Sequence, residues 1–362
     1  MSRPGCGPRA IMSSDPNRDP RVRLRGRRTD TVVGVMIAVV IGACAESSNT
    51  DGTARAQQPE PLAGWVDVSG FDMHYRDYGG TGDLMLLVPG FYMTAEVYDQ
   101  LAARFTDRYR VVAPTFRWHG LSDTTSLDFD LDTLAQDLSE FIDHFTDDPA
   151  IVVGWASAGL VLPRLARQRP DQVRALVFAN AVWAPVPLPE GLPRWPPAPP
   201  LDSVYPSLEV AAERLQGPMN VTSTEVLVGV LRGSLRERSD GMYEWLPPIG
   251  TRAEDKFLAW YDSTAVYDGL DVPVLAIQVH QGNALAADHA ARGIPQDTTE
   301  LALRWVREYY DVSLDRGSEA LRAAVPEAEV VVLDDLNHNY MIENPDVVAP
   351  VIRGFLDRVR PR

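Results

Sequence analysis

The chain has 362 residues, 45% of them hydrophobic, which is ample for one large α/β domain with an insertion or for two modest domains. The formal charge is −16, and residues 1–43 hold eight Arg against three Asp, which leaves −21 on residues 44–362 and sets nucleic acid aside as a partner, because so acidic a surface repels phosphate. Two cysteines, Cys6 and Cys44, and six scattered histidines exclude a disulfide framework and any metal site with recognisable ligand spacing.

The N-terminus reads as an address. Residues 21–28 are basic, Thr31 to Ala43 form an apolar run, and a polar stretch follows Cys44. Basic, apolar, small-residue and polar segments in that order predict a secretory signal over 1–43 and a flexible linker over 44–63. The apolar run is short of the roughly 20 residues that a membrane span needs. Ile41-Gly42-Ala43-Cys44 resembles a bacterial lipobox, which implies lipidation of Cys44 and residence in the cell envelope. A single N-terminal membrane anchor, or secretion, is the alternative.

From Gly64 onward, strands alternate with helices. Strands are expected at Trp65–Ser69, Asp72–Tyr78, Leu84–Val88, Val111–Ala113, Ala150–Val153, Ala175–Ala179, Val272–Ile277 and Val330–Leu333, the first two as a hairpin turning at Gly70. The later runs are continuously apolar, as parallel strands covered on both faces are. Helical stripes run through Leu131, Leu134, Leu138, Phe141, Ile142 and Phe145, and through Val347, Val351, Ile352 and Leu356. The pattern predicts a doubly wound, mostly parallel, eight-stranded α/β sheet built from 64–182 and 263–362. Residues 183–262 interrupt it with a proline-rich opening and helical patterns around 207–236 and 253–262, and are expected to form an inserted helical lid. Its aromatics (Trp195, Tyr205, Tyr243, Trp245, Trp260, Tyr261) would line an apolar pocket or form the lid's own core. Residues 281–326 are too long for a bare loop and are expected to hold helices, including one near Leu301–Tyr310.

Four segments carry chemistry. Val88-Pro89-Gly90-Phe91 follows the third strand. Arg117-Trp118-His119-Gly120-Leu121-Ser122-Asp123 follows the fourth. Gly154-Trp155-Ala156-Ser157-Ala158 follows the fifth, in the pattern of a sharp strand-to-helix turn with small residues two positions either side of its apex. Asn337-His338-Asn339-Tyr340-Met341-Ile342-Glu343-Asn344-Pro345 follows the last. In this order they resemble the α/β-hydrolase superfamily from about Trp65 to Leu356. The resemblance implies that Phe91 and Ser157 supply backbone N–H groups to an oxyanion hole, that His338 is the general base, that His119 is structural, and that no cofactor or metal is needed.

The departures matter more. Ala156 stands at the nucleophile position, and a methyl group cannot attack a carbonyl. A frame shifted by one makes Ser157 the nucleophile, at the cost of placing Trp155 where a small residue is required. The usual acid position after the seventh core strand is Gln281-Gly282-Asn283, with His280 beside it. The variant position after the sixth strand is Asn180, which can orient an imidazole but cannot stabilise its charged form. Pro163 is expected to bend the helix after the elbow. Three readings stay open: a hydrolase of an ester or similar small apolar substrate with a non-standard site, an inactive envelope lipoprotein that binds a ligand or partner, and cofactor-free proton abstraction by His338.

Overall fold

The computed structural model describes residues 60–359, apart from 125–126, 194–201, 218, 220, 247–259, 261–265 and 335. The expected signal segment, Cys44, Trp195, Tyr261 and most of the helix expected over 253–262 lie outside the described residues. The chain opens with strands β1 (Leu62–Val68) and β2 (Phe71–Gly79), paired antiparallel up to Val68↔Phe71. Ser69 and Gly70 between them both have positive φ, 48° and 82°, the turn whose twist matches a two-residue hairpin.

Strands β3 (Leu84–Val88), β4 (Arg110–Pro114), β5 (Ala150–Trp155) and β6 (Val173–Ala179) follow, and after a long excursion the sheet is completed by β10 (Val274–His280) and β11 (Glu329–Asp334). Their order is β1-β2-β4-β3-β5-β6-β10-β11. β2 is antiparallel to both neighbours and every later pairing is parallel. The eight expected strands are the eight of this sheet. Period-two alternation sends Met85, Leu87, Ile151, Val153 and Trp155 to one apolar layer, and Leu84, Leu86, Val88, Ala150 and Val152 to the other. Both faces are therefore covered, and the polar chemistry is confined to the strand ends.

Helix α1 (Asp99–Ala102), preceded by a 3₁₀ turn at Ala95–Tyr98, lies on the first layer, and α2 (Leu131–Phe145) and α3 (Leu162–Gln168) lie on the second. α2 begins where Asp130 accepts the Thr133 N–H at 2.8 Å, and its buried stripe is the expected one from Leu131 to Ile142. Pro163 does not bend α3. It sits in the helix's first turn, where no backbone N–H is needed.

The segment between β6 and β10 holds α4 (Leu208–Leu215) and α5 (Thr224–Ser234), and also a small antiparallel sheet of β7 (Val204–Tyr205), β9 (Tyr243–Trp245) and β8 (Leu235–Glu237) in that spatial order. The insertion thus holds a small sheet beside helices of the kind expected there. Tyr205 and Trp245 meet edge to face at 6.2 Å and pack into the same apolar layer as Trp155, so they are core of the insertion. Residues 281–326 are helical as expected: α6 (Gly282–Ala291), α7 (Gln296–Trp305), a π-helical turn at Val306–Tyr310, and α8 (Asp311–Ala324). The chain closes with α9 (Tyr340–Glu343) and α10 (Pro345–Leu356). α10 buries Val348, Ala349, Ile352, Phe355 and Leu356, a stripe turned slightly from the expected one, leaving Val347 and Val351 half-buried. No helix among the described residues is long and apolar enough to cross a membrane.

Candidate active site

β5 ends at Trp155 and the chain turns at once into a short 3₁₀ helix, Ala156–Leu160. Ala156 has φ of 50°, in the left-handed region where a side chain is strained by about 1–2 kcal/mol. Crowding around the bend explains its small neighbours. A Cβ on Gly154 would lie 2.4 Å from a Leu162 methyl and 3.1 Å from the Ala158 Cβ, and one on Gly90 would lie 3.1 Å from the Ala156 Cβ. The strained residue at the apex is thus Ala156, which keeps 9% exposure, while Ser157 has none. The Ser157 hydroxyl turns back toward the turn after β3, where it accepts the Phe91 N–H at 2.6 Å. Phe91 and Ser157 are brought together through the serine side chain, a contact different from the paired backbone N–H groups that the resemblance implies.

His338 follows β11 and is half-buried. Its own N–H donates to Gln281 Oε1 at 3.2 Å, and its carbonyl accepts the Trp155 indole N–H at 3.1 Å. The Trp155 ring lies over the imidazole, with centroids 5.2 Å apart and planes 31° apart. These contacts join the loop after β11 to the elbow after β5. Trp155 can point there because strand alternation sends it to the layer shared with Tyr340 and Leu336. Burial drives the imidazole pKa down to about 4.

Asn180 stands directly after β6, with φ of 49°, a conformation that asparagine tolerates better than most residues. Its Oδ1 accepts the Val279 N–H of β10 at 3.0 Å, and its Nδ2 lies 2.7 Å from His338 Nδ1. Tyr310, in the π-helical turn, completes a triangle: its hydroxyl is 2.7 Å from Asn180 Nδ2 and 2.8 Å from His338 Nδ1. Sequence reasoning placed Tyr310 on an amphipathic helix and gave it no role. Only the wide π turn brings it to the site.

The other singled-out residues lie elsewhere. His119 is buried, donates Nδ1–H to the Arg117 carbonyl at 2.9 Å, and has its pKa pulled down to about 4 by burial. Arg117 binds Asp137 in a buried two-pronged pair at 2.6 and 2.7 Å and stacks on Phe71, which makes the segment after β4 a structural clamp. His280, beside the usual acid position, faces Asp315 at 3.2 Å and Asp334 at 3.8 Å, and its pKa is raised, first by the Asp315 hydrogen bond. Among the described residues no group of histidines, cysteines and carboxylates is arranged to hold a metal ion.

The alpha/beta hydrolase family profile matches residues 85–351. Haloalkane dehalogenase 2 of Mycobacterium tuberculosis is 33% identical over 122 residues, 33% of this chain and 42% of that protein. The chain therefore spans less than half the length of that relative. An AB hydrolase superfamily protein of Bacillus subtilis is 25% identical over 313 residues, covering 81% of this chain and 96% of the other. Among solved structures, E-2-(acetamidomethylene)succinate hydrolase superposes with a TM-score of 0.60 at 19% identity, covering 82% of this chain and all of that one. A thioesterase domain from the curacin biosynthetic pathway gives 0.57 at 16%, again covering 82% and 100%.

Proposed function

The chain belongs to the alpha/beta hydrolase family, and from that premise we propose that it is an exported, lipid-tethered member that binds a small apolar molecule in the hydrolase cleft without covalent turnover. One observation carries the reading. The apex of the elbow bears the Ala156 methyl, and the neighbouring Ser157 hydroxyl is engaged by the Phe91 N–H at 2.6 Å. Loss of a serine nucleophile costs on the order of 10⁶ in kcat, leaving roughly 10³–10⁴ over water. Hydrolysis by a bound water fares little better, because the Ser157 side chain already takes the Phe91 N–H that would hold a developing oxyanion. Relatives named as a dehalogenase and as hydrolases of small molecules support a small-molecule ligand. Beside the elbow, the Phe91 ring packs against Trp260 of the insertion with centroids 5.8 Å apart, which supports an apolar ligand there.

The test is direct. The purified chain is incubated with a fluorophosphonate probe and, separately, with p-nitrophenyl butyrate. The expected result is no labelling and no release of nitrophenol above the buffer rate. Turnover at an ordinary enzyme rate removes the binding reading and restores hydrolysis. Export and tethering are tested in a bacterial host by metabolic labelling with a radioactive fatty acid. The wild type should take up label and sediment with membranes, and the Cys44→Ser variant should do neither.

A further inference from the structure

We propose that His338 is held as the neutral Nε2–H tautomer and serves the cleft as a hydrogen-bond donor, so that the ligand is an uncharged molecule presenting a carbonyl-type oxygen. This deepens the binding reading above and rests on it. The argument begins one residue away from the histidine. The Val279 backbone N–H can only donate, so the Asn180 atom 3.0 Å from it is the carbonyl oxygen. That fixes the amide, and the atom 2.7 Å from His338 Nδ1 is its NH₂ group. An amide nitrogen donates and does not accept. A proton on Nδ1 would set two donors against each other at that distance. Nδ1 is therefore the acceptor, and a neutral ring must carry its proton on Nε2.

Tyr310 closes the same triangle. Its hydroxyl can accept from Asn180 Nδ2 at 2.7 Å and donate to Nδ1 at 2.8 Å, which adds a second donor facing the same ring nitrogen. The doubly protonated ring is ruled out near neutral pH by its burial, which holds the pKa at about 4. Nε2–H then points away from Asn180, and no hydrogen bond to it occurs among the described residues. A base in a serine triad needs the opposite arrangement, with the proton on Nδ1 and the lone pair of Nε2 toward the substrate. Here the imidazole offers a donor. Of the described residues at this triangle and the elbow, Phe91, Trp155, Ala156, Asn180, Tyr310 and His338 carry no formal charge in this state, so none of these six compensates a charged ligand, whereas an acceptor oxygen meets Nε2–H. A site built to hydrogen-bond an oxygen rejects the analogue that lacks it.

The experiment reads the tautomer and the ligand separately. In the full chain, long-range ¹H–¹⁵N spectra assign each His338 ring nitrogen as proton-bearing or bare at pH 7. The expected result is a bare Nδ1 and a protonated Nε2; a protonated Nδ1 in the wild type overturns the proposal and needs no variant to do so. Asn180→Asp replaces the donor by an acceptor and should move the proton to Nδ1, while Tyr310→Phe should leave it on Nε2 because the Asn180 contact remains. Acetophenone and ethylbenzene, nearly equal in shape, are then titrated against tryptophan fluorescence. The wild type should bind acetophenone about tenfold more tightly, one hydrogen bond's worth, and Asn180→Asp should lose that preference. Equal binding of the two, or binding of neither, overturns the ligand assignment. Turnover of p-nitrophenyl butyrate would instead sink the binding reading, whichever nitrogen carries the proton.

Discussion

At the scale of single residues, the site is decided by which polar atom faces which. Ala156 and Ser157 are adjacent, yet the bend gives one the strained apex and turns the other's hydroxyl toward the Phe91 N–H in the turn after β3. The sequence marks the apex through its small neighbours, Gly154 and Ala158. It says nothing of where the Ser157 hydroxyl goes. His119 illustrates a second role that geometry makes plain, and it supports a prediction. Its folded pKa is about 4 against 6.5 for a free imidazole, so the unfolded chain takes up a proton first as pH falls. Its contribution is complete above about pH 6.5 and disappears as pH falls toward 4. In His119→Gln that titration is gone. The loss of unfolding free energy relative to wild type should therefore be greater at pH 7.5 than at pH 4.5, by on the order of 3 kcal/mol. Urea unfolding at the two pH values checks this, and an equal loss at both would refute it.

At the scale of elements, the site depends on how closely three strand ends approach one another. The 3₁₀ turn after β5 reaches the loop after β6 because residue 159 has no side chain: a Cβ on Gly159 would lie 1.7 Å from the Ala181 carbonyl oxygen. Backbone cannot yield as a side-chain tip can. Gly159→Ala should cost about 3 kcal/mol or more, seen as a lowered thermal midpoint, and should displace Asn180 with Ala181. A variant as stable as wild type would show that the approach is looser than described. The π-helical turn is the other element-scale determinant. Its extra residue per turn breaks the 3.6-residue rhythm between α7 and α8, and so carries Tyr310 to His338. Periodicity located a helix through Leu301–Tyr310 but could not reveal a rotation caused by a wider turn. The small sheet of β7, β8 and β9 was missed for a related reason. Its strands are two or three residues long, too short for alternation to register.

At the scale of the molecule, the segment between β6 and β10 is tied to the core through Glu343. One oxygen of this buried carboxylate accepts both the Thr222 N–H and the Thr222 hydroxyl at 2.8 Å, and the other accepts from Asn337 beside His338. One side chain thus couples the insertion to the histidine loop. Glu343→Ala would strand those buried donors at about 1–3 kcal/mol each. The expected outcome is faster proteolytic nicking within residues 183–262 than in the sheet, followed by mass spectrometry. Cleavage spread evenly over the chain would argue that the tie is not specific.

The sequence by itself determined the sheet, its eight strands, the helices over 281–326 and the place of the elbow. These follow from local periodicity and from steric demands that act over a few residues. The tertiary structure alone decided the hydrogen-bond polarity around His338. Asn180, Val279, Tyr310 and His338 are far apart in the chain, and the direction of each bond depends on which atom its neighbour presents once the strand ends converge. Residue identity gives the inventory of donors and acceptors. Only the packed fold chooses among their pairings, because a reversed pairing would set donor against donor at 2.7 Å.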